Sequence, residues 1–294
     1  MSQPVTYLID ASIYIFRSWY SMPDEFSDTD GNPTNAVYGF TGFLCNLIEQ
    51  VQPELLGLAF DESLTTSYRN DIYPQYKANR EPAPEELKRQ FAWCREIGEA
   101  LGLACFSDPR YEADDLIGTL AGLYREKGHP VCVVSADKDL TQLIGQGDYW
   151  WDFSRNQKLD TAGVKKKFGV RPDQIADFLA LTGDSVDNIP GIPGIGPKSA
   201  IALLQHFDTL ETLWERLDEV PFLSVRGAKS MHAKLDQFRE NADIAKQLTI
   251  IDQQVPSALE QPGLEINKTD ADSINRIFDR LNFGPLLRRR CLNL

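Results

Sequence analysis

Histidine and cysteine are scarce and poorly placed for catalysis. The three histidines (His129, His206, His232) and five cysteines (Cys45, Cys94, Cys105, Cys132, Cys291) include no C-x-x-C pair. No zinc pattern can be drawn from them, and Cys–His catalysis has no support. An odd number of cysteines, scattered in apolar surroundings, reads as buried thiols and not as a disulfide framework. Long apolar runs are also missing: nothing approaches the ~20 residues that cross a bilayer. Met1-Ser2-Gln3-Pro4 lacks the basic-then-apolar layout of a secretion signal, so no membrane attachment and a cytoplasmic location are expected. Positive charge is in deficit, with 30 Lys+Arg against 43 Asp+Glu and a net charge of −13 over 294 residues. Spread evenly, that charge would repel a polyanion, so the placement of the acids matters. A content of 42% hydrophobic and 25% charged residues is that of a soluble globular chain. At this length it can bury roughly three quarters of its unfolded surface without staples.

What is present is a series of short apolar runs, each closing on an aspartate. Val5-Thr6-Tyr7-Leu8-Ile9 ends at Asp10, Leu55-Leu56-Gly57-Leu58-Ala59-Phe60 at Asp61, and Tyr149-Trp150-Trp151 at Asp152. Val131-Cys132-Val133-Val134 leads through Ser135-Ala136 to Asp137 and Asp139. Such runs read as strands buried on both faces. Helical patterns lie between them, at about 34–51, 85–101 and 112–127, so an α/β fold with a mainly parallel sheet is expected. In open α/β sheets ligands bind at the carboxyl ends of the strands, which would bring Asp10, Asp61 and Asp137 to one rim. Beyond about residue 172 the strand signal fades. Asp173–Thr182 reads as a helix ended by Gly183, and a helix with Pro197 in its first turn follows. A mainly helical second domain is expected, with the tail 264–294 free to pack on either part.

Further acids join the set. Glu112-Ala113-Asp114-Asp115 opens a helix, and Asp184 and Asp187 follow Gly183. Singly, each has a bland explanation, because acids in a first turn cap free N–H groups and favour the helix dipole. Together Asp10, Asp61, Glu112, Asp114, Asp115, Asp137, Asp139, Asp184 and Asp187 are nine like charges, costly to gather unless cations neutralise them. Mg²⁺ or Mn²⁺ suits carboxylate and water ligands. Two such ions can activate a water and stabilise both oxygens of a phosphodiester displacement. Two other readings fail on detail. Asp10-Ala11-Ser12 lacks the second aspartate of an aspartyl-phosphate phosphatase. Gly191–Gly196 has P-loop spacing, but Pro197 stands in place of the lysine and no apolar strand precedes it.

Over nearly its whole length the chain resembles the bacterial 5′-nucleases, flap-endonuclease-like 5′-3′ exonucleases also found as the N-terminal part of DNA polymerase I. The resemblance rests on Leu8-Ile9-Asp10, Phe60-Asp61, Tyr76-Lys77-Ala78-Asn79-Arg80, Glu112-Ala113-Asp114-Asp115, Ser135-Ala136-Asp137-Lys138-Asp139-Leu140 and Gly183-Asp184-Ser185-Val186-Asp187-Asn188-Ile189-Pro190-Gly191. Leu281-Asn282-Phe283-Gly284 is similar to the family's domain end, which implies a stand-alone nuclease. The resemblance implies a PIN-like α/β domain over 1–172 with a helical arch at about 62–100. It also implies a helical DNA-binding domain over 173–294, with a helix–hairpin–helix element and a C-terminal tail. Asp10, Asp61, Glu112, Asp114 and Asp115 match a tighter metal site, and Asp137, Asp139, Asp184 and Asp187 a second one. Asp115 is expected to be catalytic, along with Lys77 and Arg80, which match residues contacting the scissile phosphate. Tyr76 is a candidate base-stacking platform and Arg17 a candidate phosphate contact.

In the hairpin, Gly191, Gly194 and Gly196 would let backbone approach a phosphate, joined by Lys198 and Ser199. The resemblance places a K⁺ there as well. A basic stretch from Arg155 to Arg171, carrying six cations and one acid, is compatible with duplex contact. The expected partner is DNA with single-stranded 5′ ends or flaps, including RNA-primed ends, as in primer removal and repair. Two or more divalent ions and a monomer are expected. A PIN-type ribonuclease and a non-catalytic DNA-binding module stand as alternatives.

Overall fold

The computed structural model describes residues 3–23, 25–62, 66–261 and 263–294. Strands β1 (Thr6–Asp10), β2 (Leu55–Asp61), β3 (Ala104–Asp108), β4 (Val131–Val134), β5 (Tyr149–Asp152) and β6 (Gln157–Leu159) form one sheet in the order β3-β2-β1-β4-β5-β6. All neighbouring pairs are parallel except β5–β6. The chain builds outward from β1 in one direction and from β4 in the other, so the switch point lies between these two strands. That is where open α/β sheets bind their ligands.

Helices α1 (Ala11–Ser21), α2 (Asn35–Val51), α3 (Tyr68–Ile72), α4 (Glu85–Ala100) and α5 (Ala113–Glu126) accompany the sheet, and α6 (Thr161–Phe168) follows it. Alternate residues of a strand face opposite sides, and β4 shows this directly. Val131 and Val133 pack with Leu116, Ile117 and Leu120 of α5, whereas Cys132 and Val134 pack with Ile15, Phe40 and Ile97 of α1, α2 and α4. Four of the five cysteines are buried, consistent with their reading as apolar thiols.

The second unit is helical: α7 (Ile175–Thr182), α8 (Pro197–Phe207), α9 (Leu210–Glu215), α10 (Ala228–Gln237), α11 (Arg239–Thr249) and α12 (Pro256–Leu259). Its core residues Leu179, Leu203, Phe207 and Leu248 are continuous with the cluster on the α5 side of the sheet. Gly118 of α5 allows this contact, because a Cβ there would stand 2.6 Å from Ile251 Cγ2. The tail crosses to the opposite side. Ile274 and Phe278 of α13 (Ala271–Arg280) and Leu287 of α14 (Pro285–Leu292) join the cluster of α2 and α4. Arg290 pairs with Glu49 at 2.7 Å, so part of the terminal arginine run braces this tail.

The structure departs from the sequence expectation in several places. Two strands, β3 and β6, join the four expected. The helix expected from Asp173 starts with a 3₁₀ turn at Pro172–Gln174 and becomes α-helical at Ile175. The stretch 62–100, expected as an arch, is divided. Leu87, Gln90, Cys94 and Ile97 bury α4 in the core, and Gln90 Oε1 accepts from the first amides of α2 at 2.7 and 3.1 Å. Only 66–84 stands over the rim, while residues 63–65 lie outside the described set. Among the described residues no helix is long and apolar enough to cross a membrane.

Candidate active site

Each expected acid sits where one element hands over to the next. Asp10 ends β1 and caps α1: its Oδ1 accepts from Ile13 N (3.2 Å) and its Oδ2 from Ser135 Oγ (2.8 Å). Asp61 ends β2, where its amide donates to Ser12 Oγ (2.9 Å) and its Oδ1 accepts from the first amide of α5, Ala113 N (2.9 Å). Asp137 and Asp139 follow β4, with Asp137 Oδ1 accepting from Asp139 N at 2.9 Å. Asp184 and Asp187 lie on the loop after α7, which the pairing of Asp184 with Ile189 closes. The ends of β1 and β2, the start of α5 and the loops after β4 and α7 therefore meet at the switch point.

The charges act on one another. Burial, then repulsion from Asp61, pushes the Asp10 carboxyl up to about 7. Burial, then Asp137, pushes Asp139 up to about 7. Burial followed by repulsion from Asp137 and Asp10 drives Asp114 well above the ordinary carboxylate range. No donor among the described residues reaches the Asp114 carboxylate. Burial would also raise Glu112 and Asp184, but Lys77 and Arg69 outweigh it at Glu112, and Lys138 outweighs it at Asp184, so both are lowered.

Four cations stand among these acids. Lys77 Nζ is 2.8 Å from Glu112 Oε1 and 4.0 Å from Asp187 Oδ2, Arg80 pairs with Asp187, and Lys138 bridges Asp139 and Asp184. Arg69 Nη1 reaches Asp115 at 2.6 Å. Among the described residues no three acidic, histidine or cysteine side chains are gathered closely enough to hold an ion as they stand. The residues nevertheless suit a hard divalent cation. The donors are all oxygen, and the mutual repulsion at Asp10, Asp114, Asp137 and Asp139 is what such an ion would relieve.

Hydrogen bonds to backbone carbonyls fix the segment above the rim. Lys77 N donates to Asp187 O (2.9 Å), Asn79 Nδ2 to Ser185 O (3.0 Å) and Asn188 Nδ2 to Gln75 O (2.7 Å). Lys77 adopts φ +54°, a left-handed conformation uncommon for a side chain of this kind. A cleft of about 740 Å³ opens beside it, lined by Phe16, Asp61, Lys77, Arg80 and Phe91 among others.

Three expectations change. Asp115 is fully buried, and protein donors fill both of its oxygens: Arg69 Nη1 (2.6 Å) and Glu112 N (3.1 Å) on Oδ2, Arg69 Nη2 (2.7 Å) and Asp252 N (2.8 Å) on Oδ1. It anchors α5 and has no lone pair turned to the rim. Tyr76 is only 4% exposed and donates its hydroxyl to Glu112 Oε2 (2.9 Å). It positions Glu112 and offers no face to a base. Arg17 is spent on the buried carboxylate of Asp152, 3.3 Å away, apart from the nine acids.

The hairpin residues Gly191, Gly194, Gly196, Lys198 and Ser199 come directly after the Asp184–Asp187 loop. A Cβ on Gly191 would stand 2.2 Å from Thr182 C, so glycine allows the hairpin to lie against the end of α7. Sequence reasoning missed Arg69, Lys138, Ser12 and Ser135 as site residues, as well as Phe16 and Phe91, whose rings meet edge-on at 5.3 Å in the cleft.

The raised carboxyls have a measurable consequence. Asp10 and Asp139 titrate near 7 in the folded chain, against an ordinary 3.8, so between those values the folded state holds more protons than the unfolded. Stability contributed by their protonated forms is lost as pH rises through about 7. In EDTA this contribution to the melting temperature is expected to fall between about pH 4 and about pH 7 and to level off above it, by about 2–4 °C per kcal/mol lost. Saturating Mg²⁺ should flatten that slope, and differential scanning calorimetry reads both curves.

The chain is similar to known proteins over nearly its whole length. Residues 5–169 match the family model of the 5′-3′ exonuclease N-terminal resolvase-like domain, and residues 170–272 that of the 5′-3′ exonuclease C-terminal SAM fold. The chain is 37% identical over 290 residues to DNA polymerase I of Rhizobium leguminosarum, covering 96% of this chain and 28% of that protein. It is 35% identical over 286 residues to a 5′-3′ exonuclease of Aquifex aeolicus, covering 96% and 93%. The chain thus spans about a third of the length of the curated polymerases it matches. In fold it is similar to the D15 flap endonuclease of bacteriophage T5 solved with DNA and metal ions (TM-score 0.67, 18% identity, 98% of each chain). It is also similar to the catalytic core of Rad2 solved with a DNA substrate (TM-score 0.64, 15% identity, 99% and 92%).

Proposed function

The chain belongs to the 5′-3′ exonuclease family, and from that membership we propose that it is a divalent-metal-dependent, structure-specific 5′-nuclease. It hydrolyses phosphodiesters of DNA at 5′ ends and 5′ flaps, leaving 5′-phosphate and 3′-hydroxyl ends. The observation that carries the reading is the meeting of Asp10, Asp61, Glu112, Asp114 and Asp137 at the switch point, with Asp139, Asp184 and Asp187 beside them. Among the described residues no donor reaches the Asp114 carboxylate, and the charges that bear on it most are those of Asp137, Asp10 and Lys77. Residues 1–172 serve as the nuclease unit, 173–294 as the DNA-binding unit, and 66–84 as the segment under which a single strand passes.

Asp10, Asp61, Glu112 and Asp114 would hold one Mg²⁺ or Mn²⁺, together with Asp137, which the sequence expectation put in the second set but whose charge bears on Asp10 and Asp114. Asp139, Asp184 and Asp187 would hold a second. The ions supply Lewis-acid activation of water and of the phosphoryl oxygens. Tyr76 holds Glu112 in place. Lys77 and Arg80 neutralise charge developing on the scissile phosphate. Phe16 and Phe91 give the cleft an aromatic wall that accepts any base. The hairpin 191–196, with Lys198 and Ser199, tracks duplex backbone without reading sequence, and would be the place for a K⁺. RNA-primed 5′ ends, primer removal and repair fit this chemistry, and the chain works as a monomer.

The test is cleavage of a 5′-labelled DNA flap. Release of the flap in Mg²⁺, and none in EDTA, is the expected result. Cleavage that persists in EDTA, or that needs an all-RNA strand, would overturn the reading in favour of other chemistry or of a ribonuclease.

A further inference from the structure

Lys138 has no task in the reaction described above, yet it occupies a special position. Its Nζ stands 2.8 Å from Asp184 Oδ2 and 3.1 Å from Asp139 Oδ1. One acid belongs to the loop after β4 and the other to the helical unit, so a single ammonium ties the two halves of the rim together. The remaining rim cations are otherwise engaged. Lys77 and Arg80 face the cleft, and Arg69 is locked on Asp115. The carboxylates are largely buried, at 10% for Asp184 and 21% for Asp139, whereas the Lys138 side chain is 48% exposed.

We propose that Lys138 is a built-in counterion for the second divalent-cation position, holding Asp139 and Asp184 together until a metal ion takes its place. The inference rests on the two-ion reading. Two carboxylates brought this close repel one another, and an ammonium relieves that repulsion with one charge. A divalent ion relieves it with two, and the ammonium, which can only donate, must then leave both oxygens. A half-exposed lysine can do so cheaply, because its flexible stem lets the charged head move into water while the methylenes stay packed. Metal affinity at this position is therefore lowered by the ion pairs that Lys138 surrenders. Removing the charge strengthens metal binding and weakens the metal-free fold.

The experiment is calorimetric titration of the full chain with MnCl₂ alone, for the wild type, Lys138→Met, Lys138→Gln and Lys138→Arg. The weaker Mn²⁺ site is expected to tighten roughly three- to tenfold in the Met and Gln variants, the scale of one or two partly exposed ion pairs. In EDTA those two variants should melt below the wild type. The Arg variant, which keeps the charge, should stay near the wild type in both measurements. Unchanged or weaker Mn²⁺ binding in Lys138→Met and Lys138→Gln would overturn the counterion role while leaving the nuclease reading intact. A wild-type chain that binds no Mn²⁺ would overturn both.

Discussion

Asp114→Asn is expected to lower the rate of 5′-flap cleavage by about 10²–10³-fold, the loss typical when one preorganised electrostatic group is removed from a reaction centre. Asparagine keeps the shape of the side chain and removes its charge. Because Asp10 and Asp137 repel the Asp114 carboxylate, the same change should also raise the melting temperature of the metal-free protein. Function and stability would then move in opposite directions, as they do where an active site is held under electrostatic strain. Binding of a flap substrate in Ca²⁺ should be largely retained, since the hairpin proposed to contact the duplex lies elsewhere in the chain. Cleavage at the wild-type rate, or a lower melting temperature in EDTA, would show that Asp114 is an ordinary helix-terminal acid.

The second large effect concerns a residue away from the chemistry. Arg69→Ala is expected to cost about 3–5 kcal/mol of folding stability, because it strands the fully buried Asp115 carboxylate without its partner. The guanidinium also donates from Nε to Leu248 O (2.8 Å) and from Nη2 to Ile250 O (3.1 Å), at the end of α11. It therefore joins three parts: α3 within the overhanging segment, the α5 turn that carries Glu112 and Asp114, and the helical unit. Arg69→Lys should recover little, since a lysine cannot reproduce the two-pronged contact. Urea denaturation measures the loss, and a change below about 1 kcal/mol would refute the anchoring role. Asp115→Asn should act by the same route. Its folded fraction should bind Mn²⁺ nearly as the wild type does, whereas a metal ligand would lose that affinity.

The contrast between Asp114 and Asp115 shows how far the sequence can be read. The acids were legible because each follows an apolar run or opens a helix, and in a parallel sheet those ends share one edge. Nothing in the chain distinguishes two adjacent aspartates, however. Helix rotation turns Asp114 to the rim and Asp115 to an arginine 46 residues earlier. Tyr76 misled for a similar reason: an aromatic beside a lysine reads as a stacking platform, but this one points into the core and spends its hydroxyl on Glu112.

Local pattern also limited the reading of the fold. Strand β3, with the sequence Ala104-Cys105-Phe106-Ser107-Asp108, lies at the sheet edge and is only partly buried, so it lacks the apolar run of its central neighbours. Helix α1 follows β1 with no intervening loop, since Asp10 serves as both the last strand residue and the helix cap, and no turn residue marks the change. Helix α4 reads correctly as a helix. Its place in the core, and not in an arch, depends on contacts with α2 that lie far away in sequence.

The central claim is that acids from five separate places in the chain, the ends of β1 and β2, the start of α5 and the loops after β4 and α7, form one divalent-cation centre. Anomalous difference maps from crystals of the full chain soaked in MnCl₂ test it most directly. The account predicts one Mn²⁺ among Asp10, Asp61, Glu112, Asp114 and Asp137, and a second among Asp139, Asp184 and Asp187, with Lys138 withdrawn and Asp115 still on Arg69. Manganese found away from these carboxylates, or ligated by Asp115 in place of Asp114, would contradict it.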